Sequence, residues 1–207
     1  MRVKICGLTR KEDALWAYEL GAWALGFIMT PKSPRYLAPK RAELLLSSLP
    51  EDILKVGVFV NPSQEEIDRA LKIGIQQLQF HGSESLEFCR QQIVPVTKAL
   101  PLDPTRDFHS QLEVFASLGP VLLDSKLGSQ FGGTGQVGDW SLALQASLRF
   151  PIILAGGLDP DNIVDAIERV RPFAVDISSG LESSVGKKDK LKMKKLFSRI
   201  SNHRVES

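Results

Sequence analysis

The chain has 207 residues, 43% of them hydrophobic, enough to bury a full core as one domain or two small ones. Its 26 basic and 24 acidic residues are interspersed and leave a net charge of +2, a balance that gives no support for a nucleic-acid or membrane partner. No apolar run approaches a membrane span and no leader-like start is visible; two cysteines and three scattered histidines match neither a disulfide framework nor a metal site. A reducing, cytoplasmic setting is expected.

In chain order, short apolar runs alternate with amphipathic stretches. The runs predict strands over Val3–Cys6, Ala24–Met29, Leu54–Val60, Gln77–Phe80, Val94–Leu100, Val121–Asp124, Ile152–Ala155 and Phe173–Ser178. Between them the periodicity predicts helices over Arg10–Leu20, Pro39–Ser47, Gln64–Ile73, Glu84–Gln91, Phe108–Leu118, Trp140–Ser147, Pro160–Val170 and Lys187–Ile200. Thr9, Ser63 and Ser83 read as N-caps, Asp159-Pro160 places proline in a first turn, and Gly21 and Gly74 read as stops. Such a repeat of strand–helix units predicts an α/β fold, a single compact (β/α)₈ TIM barrel over residues 1–207, shorter than the usual barrel of about 250 residues. The competing open sheet lacks a Gly-x-Gly-x-x-Gly after its first strand. The lysine-rich run 187–195 reads as the solvated face of the last helix, with Leu191, Leu196 and Ile200 inward, rather than as a phosphate patch.

Alternation on a strand decides which residues point into such a barrel. If helices cover Val3 and Ile5, then Lys4 and Cys6 face inward, and Cys6 stands at the C-terminal mouth where barrels keep their chemistry. Its alternative is an inert buried thiol, the reading preferred for Cys89 on a helix. Asp124 ends the sixth strand on the face opposite Val121 and Leu123, and His81 ends the fourth opposite Leu78 and Phe80. Asp176 faces inward with Ala174 and Ser178, one layer deeper, where a mutual ion pair with Lys4 is the preferred account. The turns Ala155-Gly156-Gly157-Leu158 and Ser178-Ser179-Gly180 follow strands seven and eight, the place where barrels bind phosphate through backbone N–H groups. Arg35, in a proline-stiffened loop, is either a fork for a carboxylate or a solvent-facing arginine. A third glycine cluster, Gly132-Gly133-Thr134-Gly135, in a long loop after the sixth strand, is expected either to close over a ligand or simply to be mobile.

Taken together, Lys4-Ile5-Cys6-Gly7-Leu8-Thr9, Ser33-Pro34-Arg35, Gly57-Val58-Phe59-Val60-Asn61, Gln77-Leu78-Gln79-Phe80-His81-Gly82, Leu123-Asp124-Ser125, Gly132–Gly135 with Asp139-Trp140, Leu154–Leu158 and Asp176–Glu182 span the chain. In this order they resemble the phosphoribosylanthranilate isomerases of tryptophan biosynthesis. The resemblance implies an Amadori rearrangement of N-(5-phosphoribosyl)anthranilate to the 1-deoxyribulose form. It implies Asp124 as the general acid at the ribose ring oxygen and Cys6 as the general base at ribose C2. It also places Arg35 on the anthranilate carboxylate, His81 beside the aromatic ring, and the phosphate on Gly156, Gly157, Ser178, Ser179 and Gly180. The implied partner is the small phosphosugar-anthranilate substrate alone, handled by a monomer or homodimer.

That chemistry suits the residues. An isomerisation by proton transfer needs one acid and one base and no metal or redox cofactor. A thiol, ordinarily with a pKa of about 8.5, serves as base if cations stabilise its thiolate; an aspartate, ordinarily about 3.9, serves as acid once burial and an anionic substrate raise it. Epimerases that use metal-binding histidines find no such set here, and related imidazole-pathway isomerases place an aspartate where Cys6 stands. A non-catalytic phosphate-ligand sensor on the same barrel has no use for an inward thiol and an inward acid at one mouth.

Overall fold

Eight parallel strands pair in sequence order, and the eighth returns to the first, so the sheet closes into a barrel. The computed structural model describes residues 1–104, 108–125 and 140–206. The strands are β1 (Arg2–Ile5), β2 (Ala24–Ile28), β3 (Leu54–Phe59), β4 (Gln77–Phe80), β5 (Val96–Pro101), β6 (Val121–Asp124), β7 (Ile152–Ala155) and β8 (Ala174–Ile177). The helices are α1 (Lys11–Glu19), α2 (Pro39–Leu46), α3 (Gln64–Lys72), α4 (Leu86–Arg90), α5 (Phe108–Ala116), α6 (Trp140–Ser147), α7 (Ile163–Val170) and α8 (Lys190–Glu206). After β8 a short 3₁₀ turn leads into a small antiparallel hairpin of β9 (Glu182–Ser184) and β10 (Lys187–Lys188). At the seam, Lys4 lies opposite Ala24 on one side and Asp176 on the other. Among the described residues no helix is long and apolar enough to cross a membrane.

The strand faces divide the labour. Val3, Ile5, Leu25, Phe27, Leu78, Phe80, Leu123, Leu154, Val175 and Ile177 point outward and pack with Ala14, Ile67, Ile163 and Met193 of the helices in one continuous core. Burying a side chain of this size contributes about 1.5–3 kcal/mol, so this outer layer supplies most of the stability. Inside the barrel the apolar filling includes a small cluster, Ala99, Leu122, Ile153, Ala155 and Ala174, and Val56 and Val58 of β3. The interior therefore has room for polar groups, and Lys4, Gln79, Thr97 and Asp176 are all buried there.

Local signals explain most element ends. Ser63 forms a capping box with Glu66: its hydroxyl accepts from the Glu66 N–H, and the Glu66 carboxylate accepts from the Ser63 N–H at 2.8 Å. Gly21 and Gly74 follow α1 and α3 at positive φ, as expected of stops. Four expectations need correction. Arg10, not Thr9, is the N-cap position of α1, because the Thr9 hydroxyl donates to the Gly186 carbonyl at 2.6 Å. Ser85, not Ser83, caps α4, because Ser83 is drawn to the Asn61 side chain at the end of β3. Helix α7 starts three residues after Pro160, since the Asp159 carboxylate binds the N–H groups of Asp161 and Asn162 in a turn of its own. Finally, Lys187 and Lys188 belong to the hairpin, and Lys188 is buried, whereas Leu191 is 76% exposed. Gly186, at φ +76°, makes the turn that separates the hairpin strands and delays the last helix.

Candidate active site

The carboxyl ends of β1, β6, β7 and β8 converge on a cavity of about 170 Å³. Its lining includes Cys6 and Asp124 together with Gly156, Gly157, Ser178 and Ser179. Cys6 and Asp124 arrive from strands with β7 and β8 between them, so thiol and carboxyl stand on different walls of one space. Asp176 also reaches the lining. Ile28, Ala155 and Leu158 supply apolar wall.

Space around Cys6 is made by glycine. A Cβ on Gly26 of β2 would lie 2.7 Å from the Cys6 sulfur and 3.0 Å from Lys4 Nζ, so any larger residue there would displace both. Gly156 sits at φ +86°, and a Cβ on it would collide with the Asp124 carboxylate and with Ser125. Ser125 locks the same turn by donating to the Gly156 carbonyl at 2.8 Å. A side chain at Gly180 would run into the Leu158 carbonyl, which makes that glycine a packing requirement between the two turns. Gly180 is thus adjacent to the cavity without lining it.

Charge is concentrated behind the thiol. Lys4 Nζ donates to Asp176 Oδ2 at 2.7 Å, and both side chains are almost wholly buried. The expected ion pair is present, but it is open on one side: Asp176 Oδ1 is buried with no hydrogen-bond partner among the described residues. Burial pulls the Lys4 ammonium down, and the Asp176 carboxylate more than reverses it, leaving Lys4 above its ordinary value. For Cys6, burial pushes the thiol up and Lys4 and Lys188 pull it back, with a net rise. The cations expected to favour the thiolate are therefore in place, yet burial outweighs them in the unliganded protein.

Arg35 is not the solvent-facing arginine of the alternative reading. Its Nε and Nη2 donate to the two carboxylate oxygens of Glu182, each at 2.6 Å, and only 19% of its side chain is exposed. Its stem lies over Gly7: a Cβ there would be 2.7 Å from Arg35 Cδ and 2.9 Å from the Ser178 hydroxyl. Glu182 is shared with Lys188, whose Nζ is 3.1 Å from Oε1 and also donates to the Ser178 carbonyl at 3.0 Å. Burial raises the Glu182 carboxyl, but Arg35 and Lys188 outweigh it and hold it below its ordinary range.

His81 lines a different space, a larger cavity of about 600 Å³ between the ends of β4 and β5, bordered by Gly82, Glu84, Lys98 and Phe115. Burial, then the charges of Lys4 and Lys98, lower its pKa to about 3. The ring is neutral, and Gln79 beside it makes a 2.5 Å contact from its amide nitrogen to Nε2, which accepts when the ring proton is on Nδ1. The glycine cluster Gly132–Gly135 and Asp139 lie outside the described residues.

Glu182 and Lys188 carry no role in the sequence reading. Glu182 belongs to the quoted Asp176–Glu182 stretch but follows a turn, so strand parity says nothing of its direction. Lys188 is hidden in a lysine run, and the one signal that separates it from the helix is the preceding Val185-Gly186 turn.

Comparisons with known proteins bear on the chain's sequence and its fold. The family model described as N-(5'phosphoribosyl)anthranilate (PRA) isomerase matches residues 3–199. The N-(5'-phosphoribosyl)anthranilate isomerase of Thermotoga neapolitana is 47% identical over 193 residues, covering 91% of this chain and 93% of its own. The crystal structure of phosphoribosyl anthranilate isomerase from Thermotoga maritima superposes with a TM-score of 0.89 at 42% identity, covering 98% of this chain and 99% of that one. A phosphoribosyl anthranilate isomerase crystallised with reduced 1-(o-carboxyphenylamino)-1-deoxyribulose 5-phosphate gives 0.86 at 40% identity, with the same coverage. With a matching fold and this degree of identity over nearly its whole length, the chain belongs to the N-(5'-phosphoribosyl)anthranilate isomerase family.

Proposed function

We propose that this chain performs its family's isomerisation, a step of tryptophan biosynthesis, with Cys6 as general base and Asp124 as general acid. The observation that carries the assignment is that one cavity brings both residues together with the glycine and serine turns after β7 and β8. Asp124 protonates the ribose ring oxygen of N-(5'-phosphoribosyl)anthranilate as the C1–O bond breaks, which opens the ring to a Schiff base. Cys6 then removes the C2 proton, and the electron pair moves to give an enolamine that tautomerises to the ketose. The reactive form therefore has the proton on Asp124 and the thiolate on Cys6. Lys4 and Lys188 offset the cost of that buried thiolate.

Binding follows the same division. Backbone N–H groups at Gly156, Gly157, Ser178, Ser179 and Gly180 hold the phosphate, at turns that lead towards α7 and the short 3₁₀ segment. Arg35 holds the anthranilate carboxylate, and the neutral His81 ring lies along the aromatic ring. The relative crystallised with the reduced deoxyribulose phosphate supports this ligand class, since that molecule carries the same carboxylate, aromatic ring and phosphate. The site is formed within one barrel domain, and buried, unpaired Cys6 and Cys89 suit a reducing cytoplasm.

The test is consumption of phosphoribosylanthranilate followed by loss of its fluorescence with the purified protein. Turnover by wild type that disappears in Cys6→Ala and Asp124→Asn supports the assignment. A folded wild-type protein without turnover defeats it in favour of a ligand sensor.

A further inference from the structure

The carboxylate subsite assigned to Arg35 raises a geometric question, because an internal carboxylate already holds the guanidinium. Arginine has five N–H donors, four of which form two flat edges of two donors each. Glu182 occupies the side edge, through Nε and Nη2. The end-on edge, formed by Nη1 and the outer N–H of Nη2, meets no acceptor among the described residues. One planar group can thus carry a fixed carboxylate on one edge and a second carboxylate on the other, with no need to displace the first.

Glu182 is itself fixed. Its Oε1 also accepts from Lys188 Nζ, and that ammonium has a second partner in the carbonyl of Ser178, at the head of the phosphate turn. The Lys188 backbone N–H in turn donates to the buried Asp13 carboxylate of α1 at 2.9 Å, so the hairpin is tied to the first helix. Both side chains are buried, Lys188 entirely and Glu182 to 6% exposure. Holding two cations and one anion there is costly unless the geometry is used.

We propose that Glu182 is the positioning residue of the carboxylate subsite: anchored by Lys188, it grips the side edge of Arg35 and presents the end-on edge to the substrate's carboxylate. The same Lys188 sets the Ser178 carbonyl, so the carboxylate and phosphate subsites are spaced by one buried frame. This rests on the reading of Arg35 given above and adds to it the residues that aim the fork.

The experiment compares Arg35→Ala, Glu182→Gln, Lys188→Met and the Arg35→Ala/Glu182→Gln double variant on phosphoribosylanthranilate, with inorganic phosphate as a competitive probe. Misaiming a binding group by a fraction of an ångström to an ångström costs on the order of 10- to 100-fold, so Glu182→Gln should raise KM by that order with a smaller change in kcat. Its inhibition by phosphate should match wild type, whereas Lys188→Met should weaken both substrate and phosphate. The double variant should be no worse than Arg35→Ala, because Glu182 acts through that side chain. If Arg35→Ala leaves KM unchanged, the carboxylate reading and this proposal fall together. If Arg35→Ala raises KM but Glu182→Gln does not, or if their effects multiply, the proposal alone falls. Should Glu182→Gln not fold, Glu182→Asp keeps the charge on a shorter arm and must show the same rise in KM, since it cannot span both the fork and Lys188; a wild-type KM there overturns the proposal.

Discussion

Two clusters of buried charge flank the barrel mouth, and they differ in how completely they are satisfied. In the first, Lys98 Nζ donates to Glu84 at 2.9 Å and to the Gly82 carbonyl, while the other Glu84 oxygen accepts from the N–H groups of Asn61 and Gly82. The second comprises Lys4, Asp176, Arg35, Glu182 and Lys188 around Cys6, and it is left open: Asp176 Oδ1 has no partner and the end-on edge of Arg35 meets no acceptor among the described residues. A buried network whose members are all bonded rigidifies a fold. One with aimed, unfilled valences is built to receive something else. The Lys98 cluster is accordingly the strut of the β4–α4 loop, and the Cys6 cluster is the one that suits the proposed site.

The sharpest way to break this contrast is to remove the two groups proposed to react. Cys6→Ala and Asp124→Asn should each lower kcat by about 10²–10⁴-fold, as expected for a lost general acid or base. Thermal unfolding of each should stay close to wild type, since neither side chain is part of the outer core. A folded variant keeping half the wild-type rate would move that role to another residue.

The strut should behave in the opposite way. Lys98→Met leaves the Glu84 carboxylate buried without its cation, and breaking such a pair costs about 3–5 kcal/mol of stability. Urea unfolding measures the loss, while kcat of the folded fraction should remain near wild type. A large kinetic defect at unchanged stability would erase the distinction between the two clusters.

How far these features are legible in the sequence depends on the physical rule that governs each. Strand parity has a period of two and nothing else to decide, so the inward aim of Cys6, Asp124 and Asp176 follows from a few residues each. The outer core is likewise written in Val3, Ile5, Phe80 and their like. Arg35, Glu182 and Lys188 sit beyond strand ends, where direction is set by turns and by distant partners. Arg35 and Glu182 are 147 residues apart, and no local period couples them. The run containing Lys188 resembles a solvated helix face in composition, and only the Gly186 turn separates the buried lysine from the exposed ones.

The phosphate turns offer a finer test, because glycine substitutions are less clean than the sequence suggests. A side chain at Gly156 meets Asp124, and one at Gly180 meets the Leu158 carbonyl, so either change would disturb more than the approach of a ligand. The informative comparison is with the basic face of α8. Inorganic phosphate should compete with substrate equally well in wild type and in Lys194→Ala/Lys195→Ala, whose Lys195 pairs with the exposed Asp161 instead. Loss of competition in that double variant would relocate the anion site to the helix.

The smallest effect expected concerns His81, which stands between the two clusters. Its pKa in the folded protein is about 3, lowered by burial and then by Lys4 and Lys98, against about 6.5 when unfolded. The neutral form is the one the fold accommodates, so between these values the unfolded chain binds the additional proton. The stabilising contribution is complete above pH 6.5 and is lost progressively as pH falls towards 3. Each pH unit below 6.5 costs at most about 1.4 kcal/mol, so lowering the pH from 7 to 5 should remove about 1–2 kcal/mol that a His81→Asn variant does not lose. Urea unfolding of both proteins at the two pH values, compared as a difference, isolates this from the carboxylates they share. An equal loss in both would mean that the fold does not disfavour the charged ring, and burial would no longer be what keeps His81 neutral beside the substrate's aromatic group.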